Sequence, residues 1–245
     1  MTKGALVLSN GQVYYGNLRG ALRPSSGEVI FNTAMTGYQE ILTDPSYTGQ
    51  IVTMTYPHIG NYGMNLEDME STSIHAAALI VKELSLTTSN WRATNSLEKW
   101  LSEKNIPILE GIDTRALVKV LREGGDCLGL VTPVDASFDL KKAQQLAKTL
   151  PSMEGQNLAQ HVSTTQTQVW KTEGKAPKFR VVAYDFGIKH NILRIMNRLG
   201  MEVTVVPFQT PAKEVLARKP DGIFLSNGPG DPAAVGVAIE NIKHL

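Results

Sequence analysis

The segment 226–232 reads Ser-Asn-Gly-Pro-Gly-Asp-Pro and could present backbone N–H groups to an anion. Gly228 and Gly230 carry no Cβ, so the chain can turn sharply there and another atom can approach the backbone closely. Pro229 fixes the backbone between them and has no N–H of its own, which limits the donors to defined positions. Such a loop suits an oxyanion hole, in which fixed N–H groups stabilise the negative charge that develops on a carbonyl oxygen.

The same loop has two other interpretations. An ordinary strand-to-helix turn explains the glycines by sterics alone, because Gly-Pro pairs mark turns in many proteins. A phosphate-binding P-loop fits less well, because neither Gly-Lys-Ser nor Gly-Lys-Thr follows Gly230. From the residues alone, the oxyanion hole and the turn both stay open.

Three other residues of chemically useful type are explained more simply by structure. Cys127 is the single cysteine and begins an apolar run, so we expect it to be a small hydrophobic residue of a core. His58 lies in a loop bounded by proline and glycine, where histidines are more often structural than catalytic. Ser46 follows Asp44-Pro45, and this composition by itself predicts a turn.

The triplet Asp185-Phe186-Gly187 matches a signature of protein kinases. No His-Arg-Asp catalytic loop and no kinase-type glycine-rich loop accompany it. It follows an apolar run that looks like a sheet strand and precedes a helical pattern. We therefore predict a strand-to-helix turn at this position.

Composition limits the classes of protein that this chain can belong to. Its 245 residues suffice for one large domain or two ordinary ones, and 42% hydrophobic with 19% charged residues is typical of a globular protein. The formal net charge of +1 argues against nucleic-acid and membrane partners, and no apolar run approaches the about 20 residues of a spanning helix. The N-terminal apolar run is too short for a signal peptide. The single cysteine indicates the cytoplasm, and the five histidines show no metal-ligand spacing.

From about residue 179 the sequence alternates between strand and helix patterns. The predicted strands are Val181–Tyr184, Val203–Val206 and Ile223–Leu225, with a helix after each of the first two. The second of these helices should have Thr210 as its N-cap. This alternation predicts a parallel sheet with right-handed crossovers. Ligands of such sheets bind beyond the carboxyl ends of the strands, which is where the segment 226–232 lies.

The first 150 residues mix strands and helices in a less regular order. Asn10-Gly11 predicts a hairpin, and further strands are predicted at 28–32, 50–56 and 76–81. Three helices follow. Asn95 and Asp113 are the expected N-caps of the first two, and the third carries its apolar residues between 140 and 147. We expect an α+β domain with a mainly antiparallel or mixed sheet over 1–150, a polar surface linker over 151–178, and an α/β domain over 179–245.

Several segments of the sequence, taken together, resemble one protein family. The segment 223–232 is similar to the oxyanion-strand motif of class I glutamine amidotransferases. Further segments narrow the resemblance to the small subunit of carbamoyl-phosphate synthetase, and they lie in the order of that family along the whole chain. They are Phe31-Asn32-Thr33 with Met35-Thr36-Gly37-Tyr38-Gln39-Glu40, Leu42-Thr43-Asp44-Pro45-Ser46-Tyr47, Thr55-Tyr56-Pro57-His58-Ile59-Gly60-Asn61, Gly111-Ile112-Asp113-Thr114-Arg115 and Val182-Ala183-Tyr184-Asp185-Phe186-Gly187.

The resemblance implies a fold, an activity and a partner. The fold is α/β, with the small-subunit N-terminal domain followed by the first half of a doubly wound parallel-sheet glutaminase domain. The activity is hydrolysis of L-glutamine, whose ammonia passes to a large subunit that makes carbamoyl phosphate for arginine and pyrimidine synthesis. ATP and magnesium are used by that large subunit, so no cofactor and no metal is expected on this chain. The resemblance places the oxyanion N–H at Gly228 and contacts to glutamine at Ser46, Gly228 and Gly230.

The family's reaction also needs a cysteine nucleophile, a histidine base and an orienting glutamate. The nucleophile belongs in a Gly-x-Cys-x-Gly turn after the next strand, about 20 residues beyond Pro232 by ordinary element lengths. The sequence stops at Leu245, so we expect all three groups to lie outside it and the 245 residues alone to be inactive. Two alternatives stay open, namely a non-catalytic module that docks on the large subunit and an anion-binding α/β protein that uses the loop as a backbone nest.

Overall fold

The computed structural model describes residues 2–124, 127–172 and 176–245, which form two compact units. The barrel unit consists of Met1–Thr43 and Gly49–Ser152. The sheet unit consists of Met153–Leu245 together with a short segment from early in the chain, Asp44–Thr48. None of the helices in the described ranges is both long and apolar enough to cross a membrane.

Within its described residues, the barrel unit contains nine strands and four helices. In chain order they are β1 (Thr2–Leu8), β2 (Val13–Gly20), β3 (Ser25–Asn32), α1 (Tyr38–Thr43), β4 (Ile51–Met54), β5 (His58–Ile59), β6 (Ala78–Val81), β7 (Glu83–Leu84), α2 (Leu97–Glu103), β8 (Pro107–Glu110), α3 (Thr114–Gly124), β9 (Leu128–Pro133) and α4 (Leu140–Lys148). The strands predicted at 28–32, 50–56 and 76–81 are confirmed as β3, β4 and β6, with shifted ends.

Seven of these strands close into a barrel in the order β1-β2-β8-β6-β4-β3-β9, while β5 and β7 pair separately. In the barrel, the pairs β3–β4, β4–β6 and β6–β8 are parallel and the remaining four pairs are antiparallel. The barrel sheet is therefore mixed, as predicted. The predicted hairpin joins β1 to β2, with Gly11 at φ +92° and the N–H of Leu8 donating to Gln12 at 2.9 Å. Closure of the barrel was not foreseen from the sequence.

The first strand shows how the barrel unit buries its apolar residues. Successive side chains of a strand point to opposite faces. Leu6 and Leu8 accordingly join one core with residues of α3, whereas Ala5 and Val7 join another with Ala143 of α4. A strand that is covered on both faces needs a continuous apolar run, and β1 has one from Ala5 to Leu8.

The helix caps of the barrel unit are partly as predicted. Asp113 caps α3, since its Oδ1 accepts from the N–H of Ala116 at 2.9 Å. The prediction of Asn95 as the cap of α2 was wrong by one residue. Ser96 is the N-cap and accepts from the N–H of Lys99 at 3.3 Å, because the Asn95 side chain instead accepts from the N–H of Ser96.

The sheet unit has helices on both faces of a four-stranded sheet. Its elements are α5 (Ala159–Val162), β10 (Gln168–Trp170), β11 (Phe179–Asp185), α6 (His190–Arg198), β12 (Met201–Pro207), α7 (Ala212–Ala217), β13 (Gly222–Leu225) and α8 (Gly236–Ile242), with single 3-10 turns at Pro45–Tyr47 and Pro232–Ala234. The strand order is β10-β12-β11-β13, and β11 is parallel to both of its neighbours. One core includes Leu193 of α6 and the other includes Val215 of α7.

Two details of this unit differ from the expectations. Thr210 was predicted to cap α7, but the N-cap is Pro211, whose side chain makes no hydrogen bond, and the N–H of Ala212 donates instead to Asn241 Oδ1 at 3.3 Å. The segment 151–178, predicted as a surface linker, contributes β10 to the sheet and Ala159 to a core shared with Phe208. β10 is an edge strand of three residues, two of them exposed, so it is too short to show a strand pattern in the sequence.

Candidate functional site

The loop that follows β13 is fixed at its start to the neighbouring strand β11. Ser226 donates its N–H to the carbonyl of Tyr184 at 3.2 Å. Its Oγ accepts from the N–H of Phe186 at 2.9 Å and donates to the carbonyl of Asn227 at 2.7 Å. The backbone that leads into the glycines is therefore held at the carboxyl end of the parallel strands.

Gly228 and Gly230 both exclude side chains, for different physical reasons. A Cβ on Gly228 would overlap the carbonyl oxygen of Phe186, although the backbone of Gly228 is not left-handed. Gly230 has φ +80°, and a Cβ there would lie 2.7 Å from the carbonyl oxygen of Gln156. Gly228 is exposed, and its N–H makes no hydrogen bond within the part of the chain that the structure describes. This N–H is available to an atom outside the chain.

Asp231 ends the glycine loop and holds it from the other side. Its Oδ1 accepts from the N–H of Ala233 at 2.8 Å, which caps the 3-10 turn Pro232–Ala234. Its Oδ2 accepts from the N–H of Gly155 at 3.1 Å. The loop is thus restrained at both ends by hydrogen bonds.

The segment Asp44–Thr48 brings Ser46 into the sheet unit. Asp44 is buried, and its Oδ1 accepts from the N–H of Ser46 at 2.9 Å, which caps the 3-10 turn that Pro45 begins. Its Oδ2 lies 3.4 Å from the ammonium of Lys189 at the start of α6. The carboxylate therefore fixes the turn on which Ser46 lies.

Asn227 joins this turn to the glycine loop. Its Nδ2 donates to Ser46 Oγ at 2.9 Å and to the carbonyl of Gly187 at 3.1 Å, and it lies 3.5 Å from Asp44 Oδ1. A carbonyl and a carboxylate oxygen can only accept hydrogen bonds, so the amide nitrogen and not the amide oxygen must face them. Asn227 is therefore a donor to Ser46.

Because Asn227 is the donor in this hydrogen bond, the hydroxyl hydrogen of Ser46 is not used in it. A serine hydroxyl carries one hydrogen to donate and two lone pairs. Ser46 Oγ accepts from Asn227, and within the described residues its hydrogen has no acceptor. Ser46 is only half-buried, so this hydrogen can be donated to an oxygen of a bound molecule.

The turn that carries Gly187 is built around a buried carboxylate. Asp185 Oδ1 accepts from the N–H groups of Gly187 and Ile188 at 2.9 and 2.8 Å, and its Oδ2 accepts from the N–H of Thr164 at 2.7 Å. Gly187 has φ +121°, where a Cβ would lie 3.0 Å from Pro45 Cβ. The predicted strand-to-helix turn at 185–187 is confirmed, and no kinase-like role is needed to explain its residues.

A small cleft of about 220 Å³ opens between the glycine loop and α8. Its lining is mostly apolar and includes Phe186, Ser226, Gly228, Gly230 and Ile239. None of the residues that line it is basic. A phosphate group would normally require cationic side chains or a helix N-terminus, so the cleft suits an uncharged group better than a phosphate.

The two remaining candidate residues lie in the barrel unit. Cys127 is buried in its core, as predicted, and burial raises the pKa of its thiol. His58 is 44% exposed and its Nδ1 lies 3.4 Å from Glu83 Oε1. Over residues 2–124, 127–172 and 176–245, no group of three or more His, Cys, Asp or Glu side chains is placed to hold a metal ion.

The structure brings Ser46 into contact with Asn227, the residue that precedes Gly228. These two residues are 181 positions apart in the sequence. Sequence reasoning assigned no role to Asn227, Asp44 or Lys189. Asparagine after a strand and aspartate before a proline are both ordinary turn residues, so their types gave no signal. Only the pairing of the two segments reveals that these side chains act together.

Comparison with known families matches both parts of the chain. Residues 6–131 match the model of the carbamoyl-phosphate synthase small chain, CPSase domain. Residues 182–245 match the model of glutamine amidotransferase class-I. The second match begins in β11 and contains the loop 226–232.

Individual relatives resemble the chain over nearly all of its residues. The carbamoyl phosphate synthase small chain of Syntrophotalea carbinolica is 48% identical, and the alignment covers 99% of this chain and 67% of that protein. Those of Pasteurella multocida and Neisseria meningitidis serogroup A are both 50% identical, with 98% and 100% of this chain and 64% and 67% of theirs covered. The chain thus spans about two thirds of the length of these relatives. It belongs to the family of carbamoyl-phosphate synthase small chains.

Proposed function

We propose that this chain hydrolyses the side-chain amide of L-glutamine and supplies ammonia to an ATP-dependent large synthetase chain that makes carbamoyl phosphate. In this proposal the barrel unit is the domain particular to the small chain, and the sheet unit is the first part of a doubly wound glutaminase domain. ATP and magnesium are used on the large chain, and this chain needs no cofactor of its own.

The observation that carries the proposal is the hydrogen bond between Asn227 Nδ2 and Ser46 Oγ, 2.9 Å long. It places the Ser46 hydroxyl beside the loop in which the N–H of Gly228 makes no hydrogen bond within the described residues. Glutamine offers an amide oxygen that becomes negative during attack and an α-carboxylate that accepts hydrogen bonds. A site with one donor for each of these oxygens is what hydrolysis of glutamine requires.

The chemistry assigns separate roles to the two donors. A thiolate attacks the amide carbon, and the carbon–oxygen double bond opens so that the oxygen becomes an anion. The N–H of Gly228 stabilises that anion, since a preorganised donor is stronger in the transition state than in the ground state. Ser46 donates to the carboxylate and holds the substrate in place, while Gly230 lets the backbone pass close to it. The intermediate then collapses to a thioester as the C–N bond breaks, and a proton from the activating histidine leaves with the nitrogen as ammonia. Water hydrolyses the thioester, which releases glutamate and restores the thiol.

Cys127 does not supply the attacking thiolate. It is only 6% exposed in a hydrophobic core, and burial raises the pKa of its thiol. Reactive thiols need the opposite environment, a lowered pKa and access to substrate. The histidine and glutamate expected to activate the nucleophile are likewise not assigned to residues of the described chain.

The anion-nest alternative uses the same backbone N–H groups as the proposal, but the lining of the cleft offers no cationic side chain that would favour a phosphate over glutamine. The alternative of a non-catalytic docking module is separated from the proposal by experiment. The sharpest test uses Ser46→Ala in the full-length protein together with its large chain. Losing a hydrogen bond to a charged group costs about 1.5–3 kcal/mol, so the Michaelis constant for glutamine should rise about 10- to 150-fold.

The same variant should leave carbamoyl phosphate synthesis from added ammonia unchanged, because ammonia bypasses the glutamine site. Ser26→Ala is the matched control, since Ser26 is an exposed serine on β3 of the barrel unit. An unchanged Michaelis constant for glutamine in Ser46→Ala would contradict the assignment of Ser46 to the glutamine site. A full-length protein that binds the large chain but releases no glutamate from glutamine would favour the docking module.

A second test concerns a polypeptide restricted to the 245 residues. A thiol amidase needs its nucleophile within hydrogen-bond reach of a base, and the oxyanion donors lower no barrier unless an attack takes place. We expect this polypeptide to release no glutamate above the rate of the uncatalysed reaction. Glutamate release that alkylation of Cys127 abolishes would contradict the assignment of that thiol to the core.

A further inference from the structure

A second cleft of the sheet unit, of about 890 Å³, is lined by β10, by α6 and by residues just before β11. It shares no lining residue with the cleft at the glycine loop. Its described lining, within 168–172 and 176–200, contains no aspartate or glutamate and four cationic residues, Lys171, Lys178, Arg194 and Arg198. A concave surface that carries charge of one sign concentrates its field and attracts ions of the opposite sign.

Three of these cations approach the cleft from different segments. Lys171 follows β10, Lys178 precedes β11 and Arg198 is the last residue of α6. All three are exposed. The ion pairs found among the described residues include none of them. Like charges that line one cleft repel each other, and a bound anion would turn this repulsion into attraction.

The end of α6 does not by itself account for this charge. A helix end attracts cations because its last carbonyl groups lack partners within the helix. Here the N–H of Leu199 is shared between the carbonyls of Ile195 and Met196, at 3.0 and 3.1 Å. The N–H of Gly200 donates to the carbonyl of Asn197 at 2.9 Å. Capping of α6 therefore leaves the two lysines from outside the helix unexplained.

Backbone and side-chain contacts hold the walls of the cleft together. Asn197 Nδ2 donates to the carbonyls of Trp170 and Met201 at 3.1 and 2.7 Å, which ties the end of α6 to β10. The N–H of Lys178 donates to the carbonyl of Gly200 at 2.8 Å. A Cβ on Gly200 would lie 3.1 Å from Lys178 Cδ, so the stem of this lysine packs against the glycine. Walls that are already fixed lose little entropy when a ligand binds.

The cleft also offers apolar contacts. Val169 is 50% exposed and Leu199 is 59% exposed, and both line the cleft. Binding sites for small organic molecules usually have volumes of about 300–1,000 Å³. The cleft falls within this range and has room for more than an inorganic phosphate ion. Its lining therefore suits a molecule with an anionic end and an apolar end.

We propose that this cleft, here termed the basic cleft, binds a phosphate ester of a small organic molecule. Lys171, Lys178 and Arg198 contact the phosphate, while Val169 and Leu199 contact the organic part. A phosphate monoester carries close to two negative charges and three acceptor oxygens at neutral pH, so several cations can bind it at once. The inference is independent of the proposed function, because the basic cleft and the glycine loop have no lining residue in common.

The test titrates the full-length protein with phenyl phosphate by calorimetry and by NMR. Binding should shift the indole N–H resonance of Trp170, which lines the basic cleft and is identified by its loss in Trp170→Phe. Lys178→Ala and Arg198→Ala should each weaken binding about tenfold or more, since each removes a charged hydrogen-bond donor. The matched controls are Lys213→Ala in α7 and Arg218→Ala at its end, both exposed and outside the basic cleft; each should change affinity less than twofold.

Other ligands test the two halves of the assignment separately. Leu199→Ala should weaken the binding of phenyl phosphate several-fold and leave that of inorganic phosphate unchanged, because only the ester has an apolar part. Benzoate, with a single charge, should bind at least about tenfold more weakly than phenyl phosphate. The altered side chains are exposed, so each variant should keep the thermal unfolding midpoint of the parent, which is measured alongside.

Three results would overturn the inference. The first is that phenyl phosphate produces neither heat nor a shift of the Trp170 resonance. The second is that the control variants lose as much affinity as Lys178→Ala and Arg198→Ala, which would mean that the chain attracts anions without a site. The third is that benzoate binds as tightly as phenyl phosphate, which would contradict a phosphate site. None of these measurements involves glutamine, so each of these results would leave the proposed function intact.

Discussion

Two four-residue apolar strands, β6 in the barrel unit and β13 in the sheet unit, differ in how far their side chains are buried. All four residues of β6, Ala78–Val81, are buried. In β13, Gly222–Leu225, none is buried and Leu225 is 43% exposed. The difference follows from the neighbours, because β6 lies between β4 and β8 in a closed barrel, whereas β13 has β11 as its one paired neighbour among the described residues.

This contrast separates the residues that stabilise the fold from those that carry the site. β13 leads directly into the loop that contains Gly228 and Gly230. The loop of the candidate site therefore follows a strand that the described residues pair on one edge, whereas β6, which is paired on both edges, leads into no part of it. Substitutions in the two strands should accordingly affect different measurements.

The largest effect on stability is expected for Ile80→Ala in β6. Ile80 is fully buried in a packed core, so the substitution loses the transfer free energy of the side chain and leaves a cavity. Such changes cost about 2–5 kcal/mol. The matched control is Leu225→Ala in β13, which should cost less than about 1 kcal/mol because much of that side chain is already in water.

Urea unfolding of the two variants, followed by circular dichroism at equal protein concentration, measures this difference. Equal destabilisation by the two substitutions would mean that β13 is covered in solution as completely as β6. The comparison between a closed and an open region would then fail.

The largest effect on activity is expected for Gly228→Ala in the full-length protein. A Cβ there overlaps the carbonyl oxygen of Phe186, so the loop must shift and the Gly228 N–H must move away from the oxyanion position. Losing one such donor typically lowers turnover about 10²- to 10³-fold. Gly222→Ala is the control on the preceding strand, since a Cβ there meets nothing within 4 Å. The prediction is checked by measuring glutamate release by the two variants, with the Michaelis constant determined separately. Near-normal turnover of Gly228→Ala would show that the loop is only an ordinary turn.

Much of the local structure could be predicted from the sequence, because short-range chemistry determines it. The hairpin at Asn10-Gly11, the Asp113 cap and the parallel strands after residue 179 all follow from residues close in the chain. Barrel closure could not be predicted, because apolar runs show that strands are buried but not which strands pair. The edge strand β10 was missed for the related reason that three residues with one tryptophan carry too little pattern.

The site was predictable in part. The glycines of the loop follow from their type and spacing, and the resemblance to a family pointed to Ser46. The amide of Asn227 could not be connected to that serine, since its role depends on a contact between distant segments and on two acceptors that fix its orientation. Long-range polar contacts of this kind leave no periodicity in the sequence.

The smallest effect is expected for Cys127→Ala. Its thiol lies in the barrel core with Leu6 and Leu121, and it contacts the carbonyl oxygen of Leu128 at 3.9 Å and Ser9 Oγ at 4.0 Å. Because burial raises the pKa of the thiol, little thiolate is present near neutral pH, and a buried thiol offers no access to an amide. Removing the sulfur should cost about 1 kcal/mol of stability or less, in line with the loss of one small buried group.

Glutamine turnover of the full-length Cys127→Ala protein should therefore equal that of the parent at every pH at which both are folded. The parent chain restricted to the 245 residues should also resist alkylation by iodoacetamide until it is unfolded by urea, which can be followed by mass spectrometry. Rapid alkylation of the folded chain would show that the barrel core opens around Cys127. A tenfold loss of turnover in a fully folded Cys127→Ala protein, with the Michaelis constant unchanged, would move the nucleophile into the barrel unit and undo the division of roles between the two units. The proposed function predicts the opposite outcome, because the Gly228 N–H and the Ser46 hydroxyl, to which it assigns the donor roles, both belong to the sheet unit, and this thiol does not.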